Sequence, residues 1–340
     1  MVERVTVAVD ANGADLGPAE VARGAALAAE RGIDVVLFGP ASELAGAGVE
    51  VVDAPVSIAK AADPARAVRS TPEASIVQAV EAVASGRAQA LVSGGSTGSA
   101  LAASLFRFKR ARGVHRPALA IVVPVPGSPF LLLDAGANVA VRPEHLVQFA
   151  HMGAAFMEAV AGVSSPRVAL LANGTEPSKG TEIVVAAHQV LASSVGLNFV
   201  GNVEGFAIGT GAADVVVADG FTGNVALKVM EGTSAALLGA VRSAAMSSWR
   251  SKLGGMLLRP ALRGLRADID PEEQGGAVLL GLRRLAIVPH GSFTARGFAR
   301  AIEVAARGVR EDVAGRTHAR LAAAGALRAA SEAAASVPEQ

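Results

Sequence analysis

Short apolar runs alternate along this chain with stretches in which apolar residues return every three or four positions, which predicts strands alternating with helices. The first run, residues 5–9, ends at Asp10 and a polar glycine loop, and Val21, Ala25 and Ala28 then mark a helix. Runs at 35–38 and 49–52 predict two further strands, whereas 54–72 shows no period, carries Lys60, Arg66 and Arg69, and reads as a surface segment. A helix over 73–85 leads to a strand at 90–92, the loop Ser93-Gly94-Gly95-Ser96-Thr97-Gly98-Ser99, and a helix containing Leu101 and Leu105. Strands follow at 121–124 and 130–133, separated by Pro126-Gly127-Ser128, then an amphipathic helix at 145–160 and a strand at 168–171. Phe199 and Val200 precede a further glycine loop. The C-terminal part reads as a long Ala-rich helix running into a basic segment to Ala267, a strand at 285–288, a last helix at 299–314 and an Ala-rich tail over 316–340, helical or frayed.

Repeated alternation of this kind predicts an α/β fold, a three-layer α/β/α sandwich around a mostly parallel sheet, formed as one domain over 1–340. Such sheets bind ligands at the carboxyl ends of their strands. The polar glycine loops all follow strands, so they are expected to converge on one crevice. The stretch 214–232 has this design in its most compact form. Val215, Val216 and Val217 are an uninterrupted β-branched run, as in a strand covered on both faces, and Gly220 to Asn224 lead straight into helical spacing at Val225, Leu227, Lys228 and Glu231. Backbone N–H groups at a helix start favour phosphate or a developing oxyanion. The plainer alternative is that the glycines only turn a strand into a helix.

Composition narrows the chemistry. The chain has 340 residues, 51% hydrophobic but only 4% aromatic, so the core must be aliphatic. A formal net charge of +1 excludes a globally basic nucleic-acid binder. With no cysteine, disulfides, thiolate catalysis and thiolate metal sites are excluded. No run is long enough to span a bilayer and the start resembles no signal peptide, so a cytoplasmic location is expected. The six histidines lack paired metal spacing, and no metal or cofactor is expected.

A dinucleotide fingerprint would need G-x-G-x-x-G after the first strand, where Asn12-Gly13-Ala14-Asp15-Leu16-Gly17 stands instead. Gly94-Gly95-Ser96-Thr97-Gly98 does match the G-x-S-x-G elbow of serine hydrolases, with Asp219 and His290 following in hydrolase order, but no oxyanion loop of the usual type precedes it. The remaining polar groups suit acyl transfer to an anion. Lys179, among Thr175, Ser178 and glycines, could hold phosphate or be a solvated loop lysine, and Asn224 could donate to an acyl oxygen or cap its helix.

Together these segments resemble the bacterial phosphate acyltransferase family known as PlsX. The resemblance rests on residues 9–18, 133–138, 173–180, 201–205, 219–224 and 290–292. It implies an isopropylmalate-dehydrogenase-like fold, a homodimer, peripheral membrane association, no metal, and conversion of acyl-[acyl-carrier protein] and inorganic phosphate to acyl phosphate for phospholipid synthesis, with a glycerol-3-phosphate acyltransferase as a downstream partner. It implies Lys179 and Asn224 as the catalytic pair. Phosphate and acyl-substrate contacts are expected from Asp10, Asn12, Gly13, Ser96, Thr97, Gly98, Asn138, Gly174, Thr175, Asn202, Glu204, Asp219, Gly220, Thr222, Gly223 and His290. The chain departs from the family at 12–15, at Ser96, where Asn is usual, and at Arg283 and Arg284, where a small residue is usual. A serine-dependent acyl hydrolase or transferase and a non-catalytic carrier-binding scaffold are the alternatives.

One segment stands apart. Residues 232–267 hold six basic and no acidic side chains, and are expected to form a projecting hairpin broken at Gly254-Gly255, with Pro260 limiting the start of its second helix. Trp249, Arg250, Leu253, Met256, Leu257, Leu258 and Arg259 then form an apolar tip flanked by cations, suited to an anionic membrane or the acidic carrier protein. Alternatively, the leucines pack against a dimer mate.

Overall fold

The computed structural model describes residues 4–328. In chain order its elements are β1 (Thr6–Asp10), α1 (Pro18–Ala29), β2 (Asp34–Gly39), α2 (Ala41–Leu44), β3 (Glu50–Asp53), α3 (Pro64–Ser70), α4 (Ser75–Ala84), β4 (Ala90–Ser93), α5 (Thr97–Arg107), β5 (Ala118–Val123) and β6 (Phe130–Leu133). Then come α6 (Pro143–Ala159), β7 (Arg167–Ala172), α7 (Glu182–Ala192), β8 (Asn198–Glu204), β9 (Val215–Val217), α8 (Gly220–Met246), α9 (Trp249–Asp268), β10 (Ala277–Leu280), β11 (Leu285–Val288), α10 (Ala295–Arg310) and α11 (Val313–Ala323).

All strands join one 11-stranded sheet in the order β3-β2-β1-β4-β11-β10-β5-β6-β9-β7-β8. Alternation along each strand builds the two flanking layers. Val7 and Val9 of β1 face the layer that includes α1, α6, α10 and α11, while Ala8 between them faces the layer that includes α4 and α5. Residues 215–217 are fully buried, as their β-branched run predicts for a central strand, and Gly153 lets α6 lie directly on β9, since a Cβ there would sit 2.6 Å from Val215 Cγ1. The three-layer, mostly parallel architecture is therefore as the sequence predicts.

The strand directions change one expectation. β1, β2, β3, β4, β11 and β5 run one way, but β5 pairs antiparallel with β6, and β6, β9, β7 and β8 all run the other way. β10 is antiparallel to both its neighbours. The carboxyl ends of the two sets consequently lie at opposite edges of the sheet, so the polar loops fall into two groups rather than one crevice. The cause is the connection at 124–129. Six residues rich in proline and glycine can close a hairpin but cannot carry the crossover that a parallel pair needs.

Three smaller differences have local causes. The segment 54–72 is only partly surface: Asp63 caps α3 by accepting from Arg66 N at 3.0 Å, and Ala54, Ile58 and Val68 are buried. The expected last helix ends at Arg310, where Asp312 takes a left-handed conformation (φ 46°) and caps α11 through Gly315 N, so the expected tail is helical as far as Ala323. Within the expected tail, Leu321 is fully buried, while residues 329–340 lie outside the described residues.

The hairpin at 232–267 also turns earlier than expected. α8 ends at Met246, and Ser248 caps α9 by accepting from Ser251 N at 3.1 Å, so the turn is at Ser247-Ser248. Gly254, Gly255 and Pro260 lie inside α9. Glycine in a helix costs only about 1 kcal/mol, and Gly255 has a packing reason to be there: a Cβ would stand 3.2 Å from Ala245 Cβ on the facing helix. A serine cap thus outranks a glycine pair as the helix boundary.

Candidate functional site

At the first edge the loop after β1, the end of β4 and the start of α4 meet around a buried carboxylate, and the loop after β11 joins them through Asp15 N, which donates to Gly291 O at 2.8 Å. Asp10 accepts from Ser75 Oγ at 2.6 Å, Ser93 Oγ at 2.8 Å and Asn12 N at 3.3 Å. Burial pushes its carboxyl up from 3.8 to about 6, and the three hydrogen bonds only partly offset that. Asn12 in turn donates to Ala54 O at 3.0 Å and Ser75 Oγ at 2.9 Å. Gly13 (φ 91°) must be glycine, because a Cβ would lie 2.5 Å from Ala59 Cβ and 2.9 Å from Gly95 Cα. Here two of the predicted loops are pressed together.

Ser96 has φ −71° and ψ 143°, an ordinary N-cap geometry and not a strained elbow. Its Oγ accepts from Ser99 N at 3.2 Å and donates to Ser99 Oγ at 2.9 Å. Thr97 and Gly98 form the first turn of α5, where Gly98 packs on Pro64. His290 Nδ1 sits 2.8 Å from Ser292 Oγ. Asp219 lies at the other edge. The three residues that follow hydrolase order in the chain are therefore each engaged locally, and the fold does not assemble them into a triad.

The second edge is built on Asp134, fully buried at the end of β6. Its Oδ1 accepts from Leu119 N, Gly136 N and Ala137 N at 2.9, 3.2 and 3.0 Å, and its Oδ2 from Asn138 N and Asn138 Nδ2 at 2.7 and 2.8 Å. Asn138 also donates to Pro117 O at 2.8 Å. This carboxylate fixes the 134–138 loop, and the start of α8 lies on that loop. Such contact demands two glycines a turn apart: a Cβ on Gly220 would come 2.7 Å from Asn138 O, and one on Gly223 would come 2.0 Å from Asp134 O.

Asp219 caps α8, its Oδ1 accepting from Phe221 N and Thr222 N at 3.0 and 2.9 Å while Thr222 Oγ1 donates to its Oδ2 at 2.6 Å. Asn224 is therefore not the cap. It stands exposed in the second turn with its amide over Gly136, where a Cβ would meet Asn224 Oδ1 at 3.7 Å.

On the neighbouring strand β7, the loop 173–180 carries Lys179. Its stem lies over Gly174, whose added Cβ would meet Lys179 Cγ at 2.7 Å. Asn202 of β8 holds this loop by donating to Glu176 O at 2.9 Å and Lys179 O at 3.5 Å, and its own Oδ1 is 3.0 Å from His188 Nδ1. Thr175 is exposed on the same loop, and Glu204 ends β8 half-buried. Lys179 and Asn224 thus leave the carboxyl ends of adjacent strands, with an ammonium and an amide exposed at one edge. Sequence reasoning missed Asp134 as the organiser of this edge. Its signal was a buried run ending in Leu133-Asp134-Ala135-Gly136-Ala137-Asn138, a carboxylate followed by small residues that can turn their N–H groups back to it.

Comparison with known proteins places the chain. The phosphate acyltransferase of Pelotomaculum thermopropionicum is 44% identical over 312 residues, covering 89% of this chain and 91% of that one. That of Heliobacterium modesticaldum is 44% identical over 317 residues, covering 90% and 94%. Among solved structures, a phosphotransacetylase from Streptococcus pyogenes matches with a TM-score of 0.61 at 17% identity, covering 91% of this chain and 95% of that one. The EutD phosphotransacetylase from Staphylococcus aureus matches with a TM-score of 0.59, also at 17% identity, covering 90% and 94%. These two likenesses show the shared fold alone. A family model described as fatty acid synthesis protein spans residues 5–316, and with relatives this similar over nine-tenths of its length, the chain belongs to that family, the one that holds the phosphate acyltransferases.

Proposed function

We propose that this protein is a phosphate acyltransferase that moves the acyl group of acyl-[acyl-carrier protein] to inorganic phosphate, supplying acyl phosphate for phospholipid synthesis. The observation that carries this reading is the pairing of Lys179 and Asn224 at the ends of adjacent strands β7 and β9, in a chain that belongs to this family. The Lys179 ammonium attracts the phosphate dianion, and the Asn224 amide donates to the thioester oxygen as it gains charge. A phosphate oxygen attacks the thioester carbon, the C–S bond breaks, and the thiolate takes the proton of the hydrogen phosphate, giving acyl phosphate and free carrier thiol. Phosphate is itself the nucleophile, so no acyl-enzyme forms.

Incubation with acyl-carrier protein and labelled phosphate, with hydroxylamine trapping the product, tests this. Carrier thiol should appear only with phosphate present and in equal amount to acyl hydroxamate. Phosphate-independent thiol release, together with labelling of Ser96 by a fluorophosphonate, would replace it with the serine hydrolase reading.

The hairpin of α8 and α9 is the proposed contact with other bodies. Trp249, Met256 and Leu257 are 71%, 64% and 79% exposed, none of α9 is buried, and the six cations of 232–267 flank them. No helix among the described residues is long and apolar enough to cross a membrane. With the turn at Ser247-Ser248, only Trp249 stands at the tip, while Met256 and Leu257 lie midway along α9. An exposed apolar face of α9 among cations fits peripheral binding to an anionic membrane, with Val225, Val229, Leu237 and Val241 along the α8 stem left for a dimer mate. There the product would pass to a glycerol-3-phosphate acyltransferase. Leu257→Glu combined with Leu258→Glu should abolish sedimentation with anionic vesicles and leave the oligomeric state intact. A monomeric double variant would transfer these leucines to the dimer interface.

A further inference from the structure

A cavity of about 560 Å3 opens between the segment leading into β5 and the start of α6, and is lined by Arg110, His115, Arg116, Arg142, His145 and Arg328, with Ala140 and Val141. Among the described residues, no acidic side chain lines it. Glu144, beside it, is held by Arg142 Nε at 2.8 Å. Arg110 is itself braced: its guanidinium donates to His115 O, and Arg283 Nε donates to its carbonyl at 3.2 Å. Arg283 therefore braces a residue of this basic cavity's wall without lining the cavity itself.

The cavity belongs to the edge that carries Lys179 and Asn224. Arg116 precedes Pro117, whose carbonyl accepts from Asn138, and Asn138 O accepts from Gly220 N at 2.8 Å at the start of the helix that bears Asn224. Ala140 is two residues from Asn138, no more than about 7 Å along an extended chain, and Asn224 is four residues up a helix from Gly220, about 6 Å. Neither Lys179 nor Asn224 lines the cavity, so an anion held there is not the attacking phosphate. Its volume lies in the range of small-molecule sites, roughly 300–1,000 Å3, well beyond what one inorganic phosphate needs.

Resting on the acyl-transfer reading above, we propose that this cavity binds the phosphate ester of the thiol-bearing arm that delivers the acyl group. Planar guanidinium groups match phosphate oxygens bidentately. An anchor beside, but outside, the reacting centre would hold a long pantetheine-type arm while its thioester reaches Asn224. The same phosphate ester occurs on a protein-bound arm and on a free coenzyme thioester.

The test compares acyl-carrier protein, acyl-phosphopantetheine and acyl-pantetheine as donors. The unmodified protein should prefer the phosphorylated arm over acyl-pantetheine in kcat/KM, and Arg116→Ala and Arg142→Ala should each reduce that preference about tenfold or more, as expected for a lost charge-assisted hydrogen bond. Arg87→Ala, at an exposed ion pair with Glu50 on β3, should leave the preference unchanged. Direct binding of phosphopantetheine against pantetheine, by calorimetry on the same proteins, should show the same loss whether or not turnover occurs, which separates this inference from the acyl-transfer reading. Equal binding of the two by the unmodified protein would overturn the inference. So would a rise in KM for inorganic phosphate alone, or a loss confined to acyl-carrier protein, which would assign the arginines to the carrier's acidic surface.

Discussion

The two edges of the sheet use the same device differently. Each has a buried aspartate at the end of a strand, Asp10 after β1 and Asp134 after β6. Asp134 takes four of its five hydrogen bonds from backbone N–H groups, so it dictates the path of its loop and, through that loop, the seat of α8. Asp10 takes two of its three from serine hydroxyls on α4 and β4, so it ties side chains of separate elements together without shaping one chain. Backbone donors preorganise a platform on which exposed groups can be aimed, and at that platform Asn224 is exposed while Lys179 stands on the loop after the next strand. The first edge is closed in on itself: Asn12, Ser96 and His290 are each occupied by a neighbour.

The largest expected effect follows from that contrast. Asp134→Ala removes the acceptor of five hydrogen bonds at a fully buried site and strands backbone donors, costing on the order of 4 kcal/mol or more. Denaturant unfolding should show it, and Asp10→Ala should cost less because hydroxyls can turn to other acceptors. Equal losses would mean that the two carboxylates do the same structural work.

Next come Lys179→Ala and Asn224→Ala. Both side chains are exposed, so unfolding midpoints should stay within experimental spread while turnover falls a hundredfold or more, about 3 kcal/mol for one positioned donor. Near-normal turnover in both variants would remove the chemistry from this edge.

How far this contrast is legible in the sequence depends on which interaction decides each feature. The runs at β1, β4, β7, β9 and β11 are read correctly because a strand buried on both faces needs uninterrupted apolar residues, a local requirement. Family motifs flag Gly220, Gly223 and Asn224, but the reason for the glycines is a contact with residues 134 and 138, some eighty positions earlier, which no local pattern carries. Strand direction fails for a similar reason. Convergence of the loops requires a single parallel sheet, and one hairpin at 124–129 reverses part of it. At the projecting hairpin, Gly254-Gly255 predicts the helix boundary, but Ser248 offers the cap that sets it and Gly255 serves a close approach.

A third, pH-dependent effect isolates Asp10. Its folded pKa is raised to about 6 from 3.8, so the folded state binds the proton more tightly, and this contribution to stability is complete below pH 3.8 and is lost as pH rises through 6. Two units correspond to roughly 3 kcal/mol. His145 and His151, both lowered to about 4, chiefly by burial, contribute with the opposite sign, their stability being lost as pH falls from 6.5 to 4. The wild-type profile therefore mixes the two, and the difference between Asp10→Asn and wild type isolates the carboxyl: the variant should gain relative stability as pH rises from 4 to 6.5. A difference that stays flat over that window would show the carboxyl to be ionised throughout.

The smallest effect is the one that most sharply separates the edges. Ser96 meets the sequence requirement of a nucleophile elbow, yet its hydroxyl caps α5 and bonds Ser99, with relaxed backbone angles and with Asp219 at the far edge of the sheet. Removing such a cap costs about 1 kcal/mol, and Ser96→Ala should lower the unfolding free energy by that amount. Since Asn caps a helix equally well, Ser96→Asn should restore the lost stability. Acyl transfer to phosphate should remain within a few-fold of wild type in both variants, because the hydroxyl neither attacks nor donates to the thioester. A nucleophile lost from this position would instead reduce turnover by several orders of magnitude in alanine and asparagine variants alike. That result would move the reaction to the edge built on Asp10 and reverse the roles assigned to the two carboxylates.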